Sequence, residues 1–168
     1  CVSFCLCYAA SDSRKKGLLE LLSKDDFPDK EKEYVGKYWD SCGRVRIKTP
    51  DPTLDLFFNG FLQYQIKAAR LFAKTGFYQC SGAFGFRDQL QDCLCLMYYD
   101  QNLVAEHIIR CCEHQFEYGD VLHWWHEEAK KGTRTRFADD LLWLPFCVLE
   151  YIKVTGDKEL LDEEVGFV

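Results

Sequence analysis

"DPTLDLFFNGFLQYQIKAARLFAKTG", residues 51–76, contains a helix start, a long run studded with apolar residues and a helix stop. Asp51 can accept hydrogen bonds from the free N–H groups of a first turn. Pro52 behind it lacks the N–H that such a turn cannot use. Gly76 suits the left-handed backbone on which helices end. Between them Leu54, Phe57, Phe58, Phe61, Leu62, Ile66, Ala69 and Phe72 fall three and four apart, which is helical spacing. The stretch predicts one helix over 52–74. Its apolar residues cover more than one face, so it needs neighbours on both sides.

The same spacing recurs along the chain, and strand-like alternation is almost absent. Further helices are expected near 1–10, 14–23, 29–41, 87–99, 102–116, 140–154 and 157–164. The 140–154 helix is apolar nearly all round and contains Pro145, which removes one hydrogen bond and is expected to kink it. Two connections are long: "GRVRIKTPD" at 43–51, and Glu117 to Ala138. Loops of the second length are uncommon unless they carry function. The fold class read from this pattern is all-α: antiparallel helix pairs with long loops gathered at one end, a helical toroid or part of one.

At 168 residues, 48% hydrophobic and 15% aromatic, the chain can form one domain with a real core. Apolar runs such as Leu141 to Leu149 stop short of the about 20 residues a membrane span needs, so no membrane contact is expected and a cytoplasmic location is. Cys1 to Ala10 is apolar, but no basic segment precedes it; a helix is expected there rather than a leader. A net charge of −6 and a pI near 5.2 provide no basic field for a nucleic-acid backbone. Of the ten cysteines, Cys93, Cys95, Cys111, Cys112 and Cys147 fall on apolar helical stretches. There a reduced thiol acts as a small hydrophobe.

Three short stretches concentrate polar chemistry. In "GAFGFRDQLQD", 82–92, Arg87, Asp88 and Gln91 stand among Phe84 and Phe86. One reading is a helix-start aspartate followed by a solvated stripe. The other is a grip on a sugar, with directional polar groups for hydroxyls and aromatic faces for the ring. "GDVLHWWHEE", 119–128, puts His123 and His126 around Trp124 and Trp125. A buried aromatic core and an aromatic sugar platform both fit. Two histidines without a CxxC make only half a zinc site, so no metal is expected. "KKGTRTRFADDLLWLP", 130–145, runs a basic loop with Arg134 into Phe137 and the pair Asp139 and Asp140 at a helix start. One cap needs one aspartate. The helix N-terminus favours one ionised carboxylate, while burial and mutual repulsion favour protonation of the other, which is how acid chemistry is obtained near neutral pH.

"YQCSGAFGFRDQLQD", "HQFEYGDVLHWWHEE" and "GTRTRFADDLLWLP" together resemble the catalytic domain of glycoside hydrolase family 94. "TPDPTLDLFFNGFLQYQ" before them and "EYIKVTGDKELLDE" after extend the likeness over about residues 45 to 168. Within the family it resembles most the phosphorylase-like region of cyclic β-1,2-glucan synthases and the 1,2-β-oligoglucan phosphorylases. The resemblance implies part of an (α/α)6 barrel and inverting phosphorolysis of β-glucosides, with β-glucan oligosaccharide and inorganic phosphate as partners and no cofactor. It assigns the general acid to the Asp139–Asp140 pair, with Asp139 chosen because an aromatic residue, Phe137, stands two positions before it. Arg87 and Asp88 would hold the terminal glucose and Trp125 would line its pocket. Gln91, His123, Trp124, Arg134 and Phe137 complete the expected substrate-binding set.

Cys80 stands where the family has serine, and Gly82 near an arginine of its cellobiose-type members, which points away from cellobiose. The family's β-sandwich would precede Cys1, and its phosphate-binding histidine and Thr-Gly pair would follow Val168. The chain is therefore expected to hold roughly half the barrel, to leave apolar helix sides uncovered and to be inactive alone; a homodimer is one assembly open to the parent protein. Two other functions remain open at this point. An inverting hydrolase would need a second carboxylate about 6.5–9.5 Å away as base, for which Asp92 or Asp120 are candidates. A sugar-binding or structural remnant would need none.

Overall fold

A computed structural model describes residues 11–23, 27–42, 45–74 and 82–168. The helix expected over 1–10 and the departure at Cys80 lie outside the described residues. The chain divides into two compact units, Cys1–Asp40 and Ser41–Val168. The first is helical, with α1 (Asp12–Leu22) and α2 (Phe27–Cys42). Ser11 caps α1 by accepting a hydrogen bond from the Arg14 amide.

The second unit opens on the 52–74 region. Asp51 Oδ1 accepts from the amides of Thr53 and Leu54 at 2.8 and 3.4 Å, as the sequence predicts. The helix is α-helical over α3 (Pro52–Leu56) and then widens into π-helical turns over Phe57–Leu62 and Gln65–Phe72. A tertiary clamp grips the wide part: Asn59 accepts from the Ile47 amide at 2.8 Å and donates to its carbonyl at 2.9 Å. The buried residues of this stretch are Gln63, Lys67 and Leu71. Leu54, Phe57, Phe61 and Phe72 are exposed. Buried Lys67 is neutralised by Asp100 at 2.7 Å, without which its burial would be costly.

The core lies where α4 (Phe86–Leu96), α5 (Gln101–Cys112) and α6 (Asp140–Thr155) meet. Each buries one helical stripe: Phe86, Leu90, Cys93 and Leu96; Val104, Ile108 and Cys111; Leu144, Cys147 and Tyr151. Cys93, Cys111 and Cys147 are buried free thiols, and burial pushes Cys147 up to about 12. Asp100 caps α5 through the Leu103 amide. Gly156, at φ 74°, ends α6 by bonding its amide to the Ile152 carbonyl at 2.8 Å. Helix α6 continues through Pro145, and its other side, with Leu142, Phe146 and Leu149, is exposed. The last expected helix is a short 3-10 turn, Glu159–Asp162.

The long connection before α6 is not a loop. It forms a hairpin, β2 (Leu122–His126) with β3 (Lys131–Arg134), joined on its other edge by β1 (Phe84–Gly85) in an antiparallel sheet of order β1-β2-β3. The register pairs Phe84 with Trp125, Gly85 with Trp124 and Trp125 with Gly132. A bulge between Leu122 and Trp124 breaks the alternation that would mark a strand in the sequence. The mostly helical class holds, with this small sheet as its exception.

Candidate active site

The sheet gathers the three polar stretches. Strand β1 passes directly into α4, so Arg87 and Asp88 lie in a first helical turn that starts from the strand beside Trp124 and Trp125. Strand β3 leads through residues 135–139 into α6, which places Asp139 and Asp140 at that helix start. Gly85 precedes α4 with little room to spare: a Cβ there would come within 3.1 Å of Asp88 Oδ2.

Two carboxylate contacts define the centre. Arg87 Nη1 donates to Asp139 Oδ2 at 2.8 Å, joining residues 52 apart in sequence, and Arg87 Nε lies 3.7 Å from Asp88 Oδ1. Asp139 is the N-cap residue of α6 by position, yet its side chain makes no cap hydrogen bond. The guanidinium takes that carboxylate instead and holds its pKa below the ordinary value. Asp140, 2% exposed, accepts from His123 Nδ1 at 2.7 Å, while its Oδ1 is buried with no hydrogen-bond partner among the described residues. The His123 ring packs on Phe137 with centroids 4.7 Å apart. Phe137, Asp140 and Asp120 also line a cavity of about 260 Å³. The paired aspartates thus differ: one is exposed beside an arginine, the other buried beside a histidine.

The two tryptophans part company. Trp124 is 39% exposed, whereas Trp125 is 2% exposed and stacks on Phe84 at 5.4 Å and His114 at 3.9 Å. Trp125, expected to line the sugar pocket, therefore offers no open ring face and supports the sheet from within. Gln91 is exposed one turn after Arg87. Arg134 is committed to Asp120, donating Nη2 to Oδ1 at 2.8 Å with Nε close to Oδ2, and lies 4.1 Å above the Phe116 ring. Asp92, the other candidate base, accepts from Arg70 Nε at 2.8 Å. Sequence reasoning missed Arg70, whose carbonyl also receives Gln89 Nε2 at 3.0 Å, and His114 beneath Trp125. Arg70 stands away from the polar stretches in sequence, whereas His114 opens the stretch 114–128 but is brought to Trp125 by the fold. Among the described residues, no three His, Cys, Asp or Glu side chains come together as a metal site, and no helix is long and apolar enough to cross a membrane.

Residues 38–168 match the glycosyl hydrolase 94 superfamily, catalytic domain. The chain belongs to this family. It is 39% identical over 168 residues to the cyclic beta-(1,2)-glucan synthase NdvB of Rhizobium meliloti (strain 1021), covering 99% of this chain and 6% of that protein. The 3-O-beta-D-glucopyranosyl-beta-D-glucuronide phosphorylase of Paenibacillus borealis is 30% identical over 134 residues, 77% of this chain and 17% of its own. The N,N'-diacetylchitobiose phosphorylase of Vibrio furnissii is 21% identical over 162 residues, 79% of this chain and 20% of its own. The chain thus spans a fifth or less of each family 94 relative named here.

Proposed function

We propose that this family 94 chain supplies the acid and sugar-binding side of an inverting phosphorylase acting on β-1,2-linked glucan oligosaccharides. The observation that carries the reading is the 2.8 Å contact between Arg87 and Asp139, which puts a sugar-gripping cation and a candidate proton donor within one substrate's reach. Sugar hydroxyls draw Arg87 away from Asp139, whose carboxyl is then free to hold a proton; phosphate attacks the anomeric carbon of the terminal glucose, the glycosidic bond breaks, and Asp139 gives that proton to the departing oxygen. The products are α-glucose 1-phosphate and the shortened oligosaccharide. Phosphate replaces both water and the base that water would need. Arg87, Asp88 and Gln91 hold hydroxyls, and Trp124 and Phe137 present apolar faces. Trp125 and Arg134 act from behind, the first by packing and the second through Asp120. The phosphate site and the rest of an (α/α)6 barrel belong to other parts of the parent protein in this reading. The 39% identity to a protein named for β-(1,2)-glucan supports the linkage.

The test is phosphate-dependent release of glucose 1-phosphate from β-1,2-glucan oligosaccharides by the full-length protein. Asp139→Asn is expected to lower the rate about 10² to 10⁴-fold with folding preserved. Turnover without phosphate, or near-parental activity in the variant, overturns the reading.

A further inference from the structure

Asp140 is unusual among the site carboxylates. It is 2% exposed, and the hydrogen bond from His123 Nδ1 at 2.7 Å is the one that the described residues give its side chain. An ionised carboxylate only accepts, so opposite one Nδ1 carries the hydrogen, and in the neutral form of the ring Nε2 is then the acceptor nitrogen. The ring is held on its flat side by Phe137, itself 52% exposed, and His123 keeps 24% of its side chain open. Phe137 and Asp140 both border the 260 Å³ cavity. Asp140 also acts on Arg87 electrostatically, so the pair lies beside the Arg87–Asp139 centre.

We propose that Asp140 is a positioning residue: it fixes His123 as the Nδ1–H tautomer so that Nε2 accepts a hydrogen bond from a hydroxyl of the bound sugar. The inference rests on the sugar-binding reading above and adds a role for the second aspartate that is separate from proton donation. An asparagine at 140 would present an amide N–H to Nδ1, move the hydrogen to Nε2 and turn an acceptor into a donor, a reversal known to disable histidines oriented by a carboxylate.

The experiment uses the full-length protein and reads two quantities. Nitrogen-15 NMR of the labelled histidine reports its tautomer: Nδ1–H is expected in the parent and Nε2–H in Asp140→Asn. The same tautomer in both overturns the proposal. Titration with a β-1,2-glucan oligosaccharide reports affinity for the parent, Asp140→Asn, His123→Phe and the double variant. His123→Phe keeps the ring packing on Phe137 and removes both nitrogens. Each single variant is expected to bind about tenfold more weakly, and the double no more weakly than either, because one residue acts through the other. Unchanged affinity, or losses that multiply to about a hundredfold in the double variant, overturn it, with thermal unfolding confirming that each variant is folded. Glucose 1-phosphate release is assayed separately. A parent that binds the oligosaccharide without releasing glucose 1-phosphate overturns the phosphorolysis reading alone, whereas absence of binding overturns both.

Discussion

The Arg87 guanidinium is 2.8 Å from Asp139 and 3.7 Å from Asp88, so a sugar must compete with two carboxylates for its donors. Replacing it separates the roles. In Arg87→Ala the Asp139 carboxyl loses the hydrogen bond that chiefly lowers its pKa, so its midpoint should rise toward the ordinary value of about 3.9. Carboxyl-carbon NMR of Asp139 checks this, and an unmoved midpoint would mean that the ion pair does not form in solution. The sign for stability follows: the pair contributes fully above the unfolded carboxylate's pKa, and that contribution is lost as pH falls through the lower folded value. Parent and variant should therefore converge in strong acid. Sugar affinity should fall by about tenfold or more.

At the scale of elements, the start of the 52–74 helix was legible because it rests on two local residues, Asp51 and Pro52, whereas the ends set by Asp100 before α5 and Gly156 after α6 emerge from the structure. The sheet was hidden for equally local reasons. Strand β1 is two residues long, too short for any period, and the bulge in β2 scrambles the alternation around His123. Which of two adjacent tryptophans faces inward is decided by register, a one-residue matter that composition cannot reveal. The Arg87–Asp139 contact spans 52 positions, so the residue types could be read but not their pairing. Gly132 shows how tightly the hairpin is built. A Cβ there would meet Leu122 Cδ1 at 2.8 Å, the Trp124 carbonyl oxygen at 2.9 Å and Trp125 Cβ at 3.0 Å. Gly132→Ala should destabilise the unit by about 1–3 kcal/mol, visible as a lower midpoint in denaturant; an unchanged midpoint would show that the hairpin can open without cost.

Across the whole molecule, the core joins three helices around groups that resist ionisation. His107 is 2% exposed, with Nε2 3.7 Å from Cys111 Sγ, and burial pushes its pKa down to about 4. Its unfolded value is about 6.5, so between these limits the unfolded chain binds the extra proton. The stability that His107 contributes is fully present above about pH 6.5 and is lost as pH falls toward 4, by roughly 3 kcal/mol in all. Denaturant unfolding of the parent should show this acid limb, and His107→Leu should flatten it. An identical pH profile in the variant would assign the limb to other groups.

The sheet register also decides which changes of sequence the site can absorb. Leu122 to Arg134 are placed by pairing with β1 and by the return through Gly132, and Asp139 and Asp140 follow within a few residues of β3's end. A change of residue type at an exposed hairpin position such as Lys131 alters charge and little else. Adding or removing one residue before the turn exchanges the two faces of β2: Trp125 leaves the core, Trp124 enters it, and His123 turns away from Asp140. The spacing between His123 and the aspartate pair is thus constrained as a length, independently of what fills it. In this part of the chain, insertions and deletions should be far rarer among functional variants than substitutions.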